Sequence, residues 1–291
     1  MDTPADSRVT PGRLIVGAEV FFPIDDPEAL AAEHRRLGYR AAVCPDVPVE
    51  DTARVSAIEQ AFAHHEVVVA EVWAWRNLLT PDAQARKANL SFVTHQMALA
   101  EAVGARCCVD VAGSFDGATL SGPHPENLGR EFFDATVENC RSILDAVKPT
   151  RSCFTLEMKG WNLPDGPEAY LALVKAVDRR AFGVHMDPFN AINSPYRYYA
   201  SGDFIRECFR ILGPYVKSCH GKDLAWLQPE KNVVFRETVP GRGGIDYSAY
   251  VTEIARCGAP LILEHLSTTE EYQEGLAYIR RTADRAGVPV A

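Results

Sequence analysis

Short apolar runs alternate along this chain with longer segments whose apolar residues recur at helical spacing. The runs are LIVGAEVF (14–21), YRAAVCP (39–45), VVVAEVWA (67–74), RCCVDVAG (106–113), CFTLEMKG (153–160), FGVHMDPF (182–189), YVKSCHGK (215–222) and PLILEHL (260–266). Each is short enough for a buried strand and too short for a typical helix. The segments between them start and stop as helices do. DPEALAAEHRRLG opens on Asp-Pro and closes at Gly38, and TPDAQARKANLSFVTHQMALAEAVGA offers Thr80 as N-cap, Pro81 at the first helical position and Gly104 near its end. DYSAYVTEIARCGAP and TTEEYQEGLAYIRRTADRAG follow the same grammar.

Strands alternating with helices mean βαβ units and a parallel sheet, so the class is α/β. Eight units in 291 residues fit a closed (β/α)8 TIM barrel, which typically takes about 250 residues. An open doubly wound sheet would more often carry a glycine fingerprint after its first strand, and EVFFPIDDP carries no GxGxxG. No linker rich in Ser, Gly or Pro divides the chain. One domain is expected over 13–291, after an extended or disordered segment at 1–12. Leu224 to Gly244 reads as one long irregular stretch, and a loop of that length in a compact domain is usually functional.

Composition removes some classes of function. Hydrophobic residues make up 47% and charged residues 24%, the mix of a globular protein, and the net charge of −9 argues against nucleic acid and anionic membranes as partners. MDTPADSRVTPGR lacks the basic and apolar regions of a signal peptide, and no run approaches the ~18 apolar residues of a membrane helix. The eight cysteines show no CxxC pair; Cys44, Cys107, Cys153 and Cys219 sit in apolar runs and read as small buried hydrophobes. A reduced, cytoplasmic setting is expected.

A barrel of this kind places its active site at the C-terminal ends of the strands. There the fifth run offers Glu157, the sixth Asp187, the seventh His220 and the eighth Glu264, each about one βα unit from the last. These four converge above the barrel axis. Three carboxylates in one pocket repel one another unless a cation joins them, and with one imidazole they suit Mn²⁺, Mg²⁺, Co²⁺ or Zn²⁺. His185 lies two before Asp187 on the same strand face and is expected in the pocket floor or just beneath the metal. Glu71, Trp73 and Trp75 alternate along the third run; Glu71 and Trp73 are expected to meet the substrate, and either Trp could stack on a sugar or pack the barrel. Arg242 in PGRGG could reach a substrate, or its glycines could serve a tight turn.

The set LEMKGWNLPD, VHMDPFNAIN, SCHGKD, PGRGGIDY and LILEHL resembles the xylose-isomerase-like superfamily of sugar isomerases and epimerases, in the branch with D-tagatose 3-epimerase and the inosose enzymes. The likeness runs from the third strand to the C-terminus and is most specific in the last four strands. It implies Glu157, Asp187, His220 and Glu264 as ligands of one divalent ion, Mn²⁺ first. It implies Glu157 and Glu264 as the acid/base pair, moving a proton next to a carbonyl through a metal-stabilised enediolate of a ketose or keto-sugar. Lys222 resembles, loosely, a basic residue that polarises substrate in those epimerases. Asn190 stands where they often carry a substrate-binding histidine, a departure that bears on the choice of sugar. Small sugars are the implied partners, with a homo-oligomer or hetero-complex open. The runner-up is a lyase on the same scaffold, a keto-inositol dehydratase or an enzyme cleaving 3-keto-glycosides. Apurinic endonucleases share the barrel, but use several zinc ions and more histidines; only His185, His220 and His265 are suitably placed here.

Overall fold

The computed structural model describes residues 12–21, 25–227 and 232–291; the expectation for segment 1–12 therefore lies, but for its last residue, outside the described residues. Eight parallel strands close into a barrel: β1 (Ile15–Ala18), β2 (Ala41–Val43), β3 (Val68–Trp73), β4 (Cys107–Asp110), β5 (Cys153–Glu157), β6 (Phe182–Met186), β7 (Val216–Gly221) and β10 (Pro260–Leu263). Around the barrel the order is β1-β10-β7-β6-β5-β4-β3-β2, so chain neighbours are sheet neighbours throughout. Each apolar run contributes one strand.

The helices follow the strands: α1 (Pro27–Arg36), α2 (Thr52–His64), α3 (Ala83–Val103), α4 (Arg130–Val147), α5 (Pro167–Val177), α6 (Pro195–Tyr199), α7 (Ser201–Leu212), α8 (Tyr247–Cys257) and α9 (Thr269–Arg285). Asp26 caps α1 with Pro27 behind it, as the Asp-Pro start implies. The start of α3 differs from expectation. Its cap is Asp82, whose carboxylate accepts from the N–H groups of Gln84 and Ala85, while Thr80 is buried and its carbonyl is taken by Arg86. A carboxylate meets the helix dipole better than a hydroxyl does. Gly104 ends the helix in the left-handed region at φ 69°.

The stretch from Leu224 is not irregular throughout. Asp223–Trp226 (β8) and Phe235–Thr238 (β9) form an antiparallel ribbon outside the barrel. Its anchor is Asp223, whose buried carboxylate accepts the N–H groups of Leu224, Gly241, Gly243 and Ile245. Gly243 has to be glycine, because a Cβ there would stand 2.3 Å from Asp223 Oδ1.

Candidate metal centre and active site

β5, β6, β7 and β10 deliver their last side chains to one place. Glu157, Asp187, His220 and Glu264 are buried, and one ligand atom from each lies within 4.8 Å of the others. Glu157 and His220 belong to strands. Asp187 stands one residue past β6, where Pro188 starts a short 3-10 turn and the Asp187 carboxylate accepts the Phe189 N–H. Pro188 cannot donate to the ladder, so the strand stops there. Glu264 follows β10 directly.

The contacts are dense. His220 Nδ1 lies 2.9 Å from Glu264 Oε2 and 3.3 Å from Glu157 Oε1, and its Nε2 lies 3.1 Å from Glu71 Oε2. Asn190 Nδ2 donates to Asp187 Oδ2 at 2.8 Å and to Glu157 Oε1 at 3.1 Å. Lys222 Nζ, itself buried, bonds Asp187 Oδ2 at 2.6 Å and also Glu264 Oε1. Lys159 Nζ pairs with Glu157.

Beneath this layer Glu71 is wholly buried. Its Oε1 faces His185 Nε2 at 3.2 Å and accepts from the Ser218 hydroxyl, and its Oε2 accepts from Trp73 Nε1 at 2.7 Å as well as facing His220. The His185 and His220 rings meet edge to face with centroids 4.0 Å apart.

These contacts set the charges. Burial works to raise Glu157, but Lys159, His220 and Lys222 hold it well below the usual carboxylate range. Burial also opposes ionisation of Glu264 and Glu71; His220 with Lys222, and His220 with His185, pull them below that range. Asp187 goes the other way. Burial pushes it up to about 7, Lys222 pulls it down, and Glu157 and Glu264 add to the rise. Burial disfavours a charged His220, yet Glu264 and Glu71 raise it well above an ordinary histidine.

A divalent cation fits this donor set. Glu71 engages His220 Nε2, which aims Nδ1 at the carboxylates, the usual arrangement of a carboxylate behind a metal-bound histidine. Lys222 takes one oxygen each of Asp187 and Glu264; the second oxygens, Asp187 Oδ1 beside the Phe189 N–H and Glu264 Oε2 beside His220 Nδ1, each keep a lone pair that an ion could use.

The other residues named from the sequence fall in different places. Glu71 lies wholly buried under His220, and its contacts are with His185, His220, Ser218 and Trp73. Arg242, half-exposed, clamps Glu274 on α9, Nε to Oε1 at 2.8 Å. Trp73 serves two ends. Its Nε1 is committed to Glu71, while with Trp75 it lines a cavity of about 520 Å³ over the ends of β1–β3, beside Glu19 and Asp46. His185 is in the floor, as its place on the strand implies, with Nδ1 buried and without a partner among the described residues.

Three charged residues at the site escape a reading of strand ends alone. Lys159 had a signal, since it follows Glu157 by two as Lys222 follows His220. Glu237, on β9, lies 3.5 Å from Lys222 Nζ, and its partner is the strand-end His265, which turns through φ 59° after β10. Glu19 is raised by burial and by Glu264. No periodicity places Glu237 or Glu19.

The family model for the xylose isomerase-like TIM barrel matches residues 31–282. The chain belongs to that family. No curated protein matches it. A xylose isomerase-like TIM barrel protein from Mycobacterium smegmatis, solved in complex with magnesium, is 19% identical over 90% of each chain with a TM-score of 0.63. D-psicose 3-epimerase of Clostridium cellulolyticum H10, solved with D-tagatose, is 15% identical over 92% of this chain and 98% of its own, with a TM-score of 0.65. The 3-keto-D-glucoside 4-epimerase of E. coli is 11% identical over 92% and 100%, also with a TM-score of 0.65. At these identities the likeness is one of fold. Among the described residues no helix is long and apolar enough to cross a membrane.

Proposed function

We propose that this family member is a divalent-metal-dependent epimerase or isomerase of a ketose or keto-sugar, with Mn²⁺ as the preferred ion. The observation that carries the reading is the convergence of Glu157, Asp187, His220 and Glu264 within 4.8 Å. A divalent ion held by Glu157, Asp187, His220 and Glu264 would supply positive charge beside a carbonyl, which would lower the cost of removing the proton from the neighbouring carbon. Glu157 and Glu264 come from β5 and from the end of β10, on either side of His220. One carboxylate takes the proton and the other returns one to the opposite face. Both are held ionised by the charges of Lys159, Lys222 and His220, so the one that returns a proton first takes it from solvent. Asn190 holds Glu157 and Asp187 in a fixed relation through one amide. Trp73 and Trp75 give the sugar an apolar wall.

The test is incubation with D-fructose, D-psicose and a 3-keto-glucoside in deuterated water, with Mn²⁺. Deuterium appears next to the carbonyl of recovered sugar, and Glu157→Gln or Glu264→Gln lowers that exchange by roughly two to four orders of magnitude. Release of the aglycone instead identifies the lyase that the same proton abstraction allows. Neither exchange nor release with any of these sugars would overturn the reading.

A further inference from the structure

The face of the barrel opposite the metal cluster opens on a cavity of about 600 Å³. Arg106, Arg151, Arg180, Lys217 and Arg256 bring five cations to its wall, against one lining carboxylate, Glu253. In a chain with a net charge of −9, composition alone does not gather them. Three are engaged: Arg106 has an interaction of its own, Arg151 pairs with Glu59, and Arg256 with Glu253 at 2.6 Å. Lys217 and Arg180 have no carboxylate partner among the described residues. Glu101 lies nearby, but its carboxylate is taken up by the N–H groups of Thr150, Arg151 and Ser152.

The fold gives Lys217 its place. The β6–β7 ladder shifts register between Val184 and His185, opposite the stretch that holds Lys217. Its stem crosses Gly183, where a Cβ would come within 2.6 Å of Lys217 Cγ. Any larger residue at 183 would push the lysine aside. Lys217, Arg106 and Arg180 all act on the Cys153 thiol in the cavity wall; burial keeps that thiol above its ordinary range, and the three cations pull it down. Cations from three separate strand entries therefore bear on one point. Helices of this barrel end on this face, and their carbonyl ends account for a cation in a last turn, such as Arg256 of α8. They do not account for a lysine on a strand.

We propose that this cavity binds a small anion carrying at least two phosphate groups, at a site separate from the metal centre. Guanidinium forks match phosphate oxygens in pairs, and a free ammonium adds a compact charge between them. The volume suits a metabolite rather than a single ion.

The experiment is calorimetric titration of inorganic pyrophosphate into the full chain. One saturable site is expected, weakening steeply between about 0.05 M and about 0.3 M NaCl as the charges are screened. Lys217→Met with Arg180→Gln weakens it roughly tenfold or more, since two charge-assisted contacts go. The methionine keeps an apolar stem over Gly183, so the barrel folds. Asp187→Asn, on the other face, leaves the affinity unchanged. Absence of a saturable site overturns the proposal. So does binding that survives the double variant and falls with Asp187→Asn, since the pyrophosphate would then sit on a metal ion in the other pocket.

Discussion

Glu71 is the residue whose role changes most between sequence and structure. At an alternate position from Trp73 it looks like a pocket residue; folded, it is a buried acceptor for Trp73 and Ser218, facing His185 and His220. Periodicity tells inside from outside on a strand, but not the height within a barrel, so the position alone could not show whether Glu71 meets substrate or histidine. Glu71→Gln places an amide that both donates and accepts where only acceptors fit. Loss of a carboxylate behind a metal-bound histidine typically costs 10–100-fold in affinity, and Mn²⁺ titration followed by EPR should show roughly that loss; an unchanged affinity would show that Glu71 does not orient His220. His34 supports a second expectation. Burial lowers its pKa, against hydrogen bonds to the Leu30 and Ala18 carbonyls and the charge of Glu33. Its folded pKa thus lies below the ~6.5 of an unfolded histidine, so the unfolded chain takes the proton first as pH falls. This part of the stability is complete above about pH 6.5 and is lost as pH falls from there through the folded value. His34→Phe, packed beside Phe62 and Tyr39, should flatten that acid limb in urea unfolding at pH 7 and 5.5. An identical slope in the variant would assign the acid limb to other groups.

At the scale of elements, the apolar runs were legible because a barrel strand buried on both faces is a continuous hydrophobic word. LIVGAEVF and PLILEHL could be read directly. The β8–β9 ribbon could not, because FRET carries two charges and pairs outside the barrel, where burial imposes no pattern. What fixes the ribbon is one side chain, Asp223, holding four backbone N–H groups at 2.8 to 3.2 Å. Asp223→Ala removes the one acceptor those donors share, and several such losses at about 1 kcal/mol each are enough to open the turn locally. Hydrogen exchange should then rise across 239–245 while β1–β6 keep their protection. The same variant should lose activity, because β9 carries Glu237 to Lys222. Protection unchanged at 239–245 would mean that the ribbon is held by its aromatic contacts, Tyr198 on Phe235 above all.

For the whole molecule the question is how one closed barrel keeps four carboxylates buried together. Glu71, Glu157, Asp187 and Glu264 face Lys159, Lys222 and the His220 ring, and among these side chains the acids exceed the cations even with His220 protonated. A divalent ion among the donors would supply the missing positive charge, and it would bind the folded chain alone, because only closure brings β5, β6, β7 and β10 together. Ligand binding confined to the folded state must raise stability: at free metal about a hundredfold above Kd the gain is about 2.7 kcal/mol. For a domain of this size that is a rise of roughly 5 °C in Tm. Chelation with EDTA should lower the Tm by about that amount, and Mn²⁺ or Mg²⁺ should restore it. Asp187→Asn separates this effect from general ionic strength, since the variant keeps the barrel and its surface charges but loses a donor. Its Tm should respond little to either treatment. If wild type and variant shift alike, the ion is acting elsewhere, and the exposed Glu28, His64 and His65 cluster, whose ligand atoms also lie within 4.8 Å of one another, becomes its place.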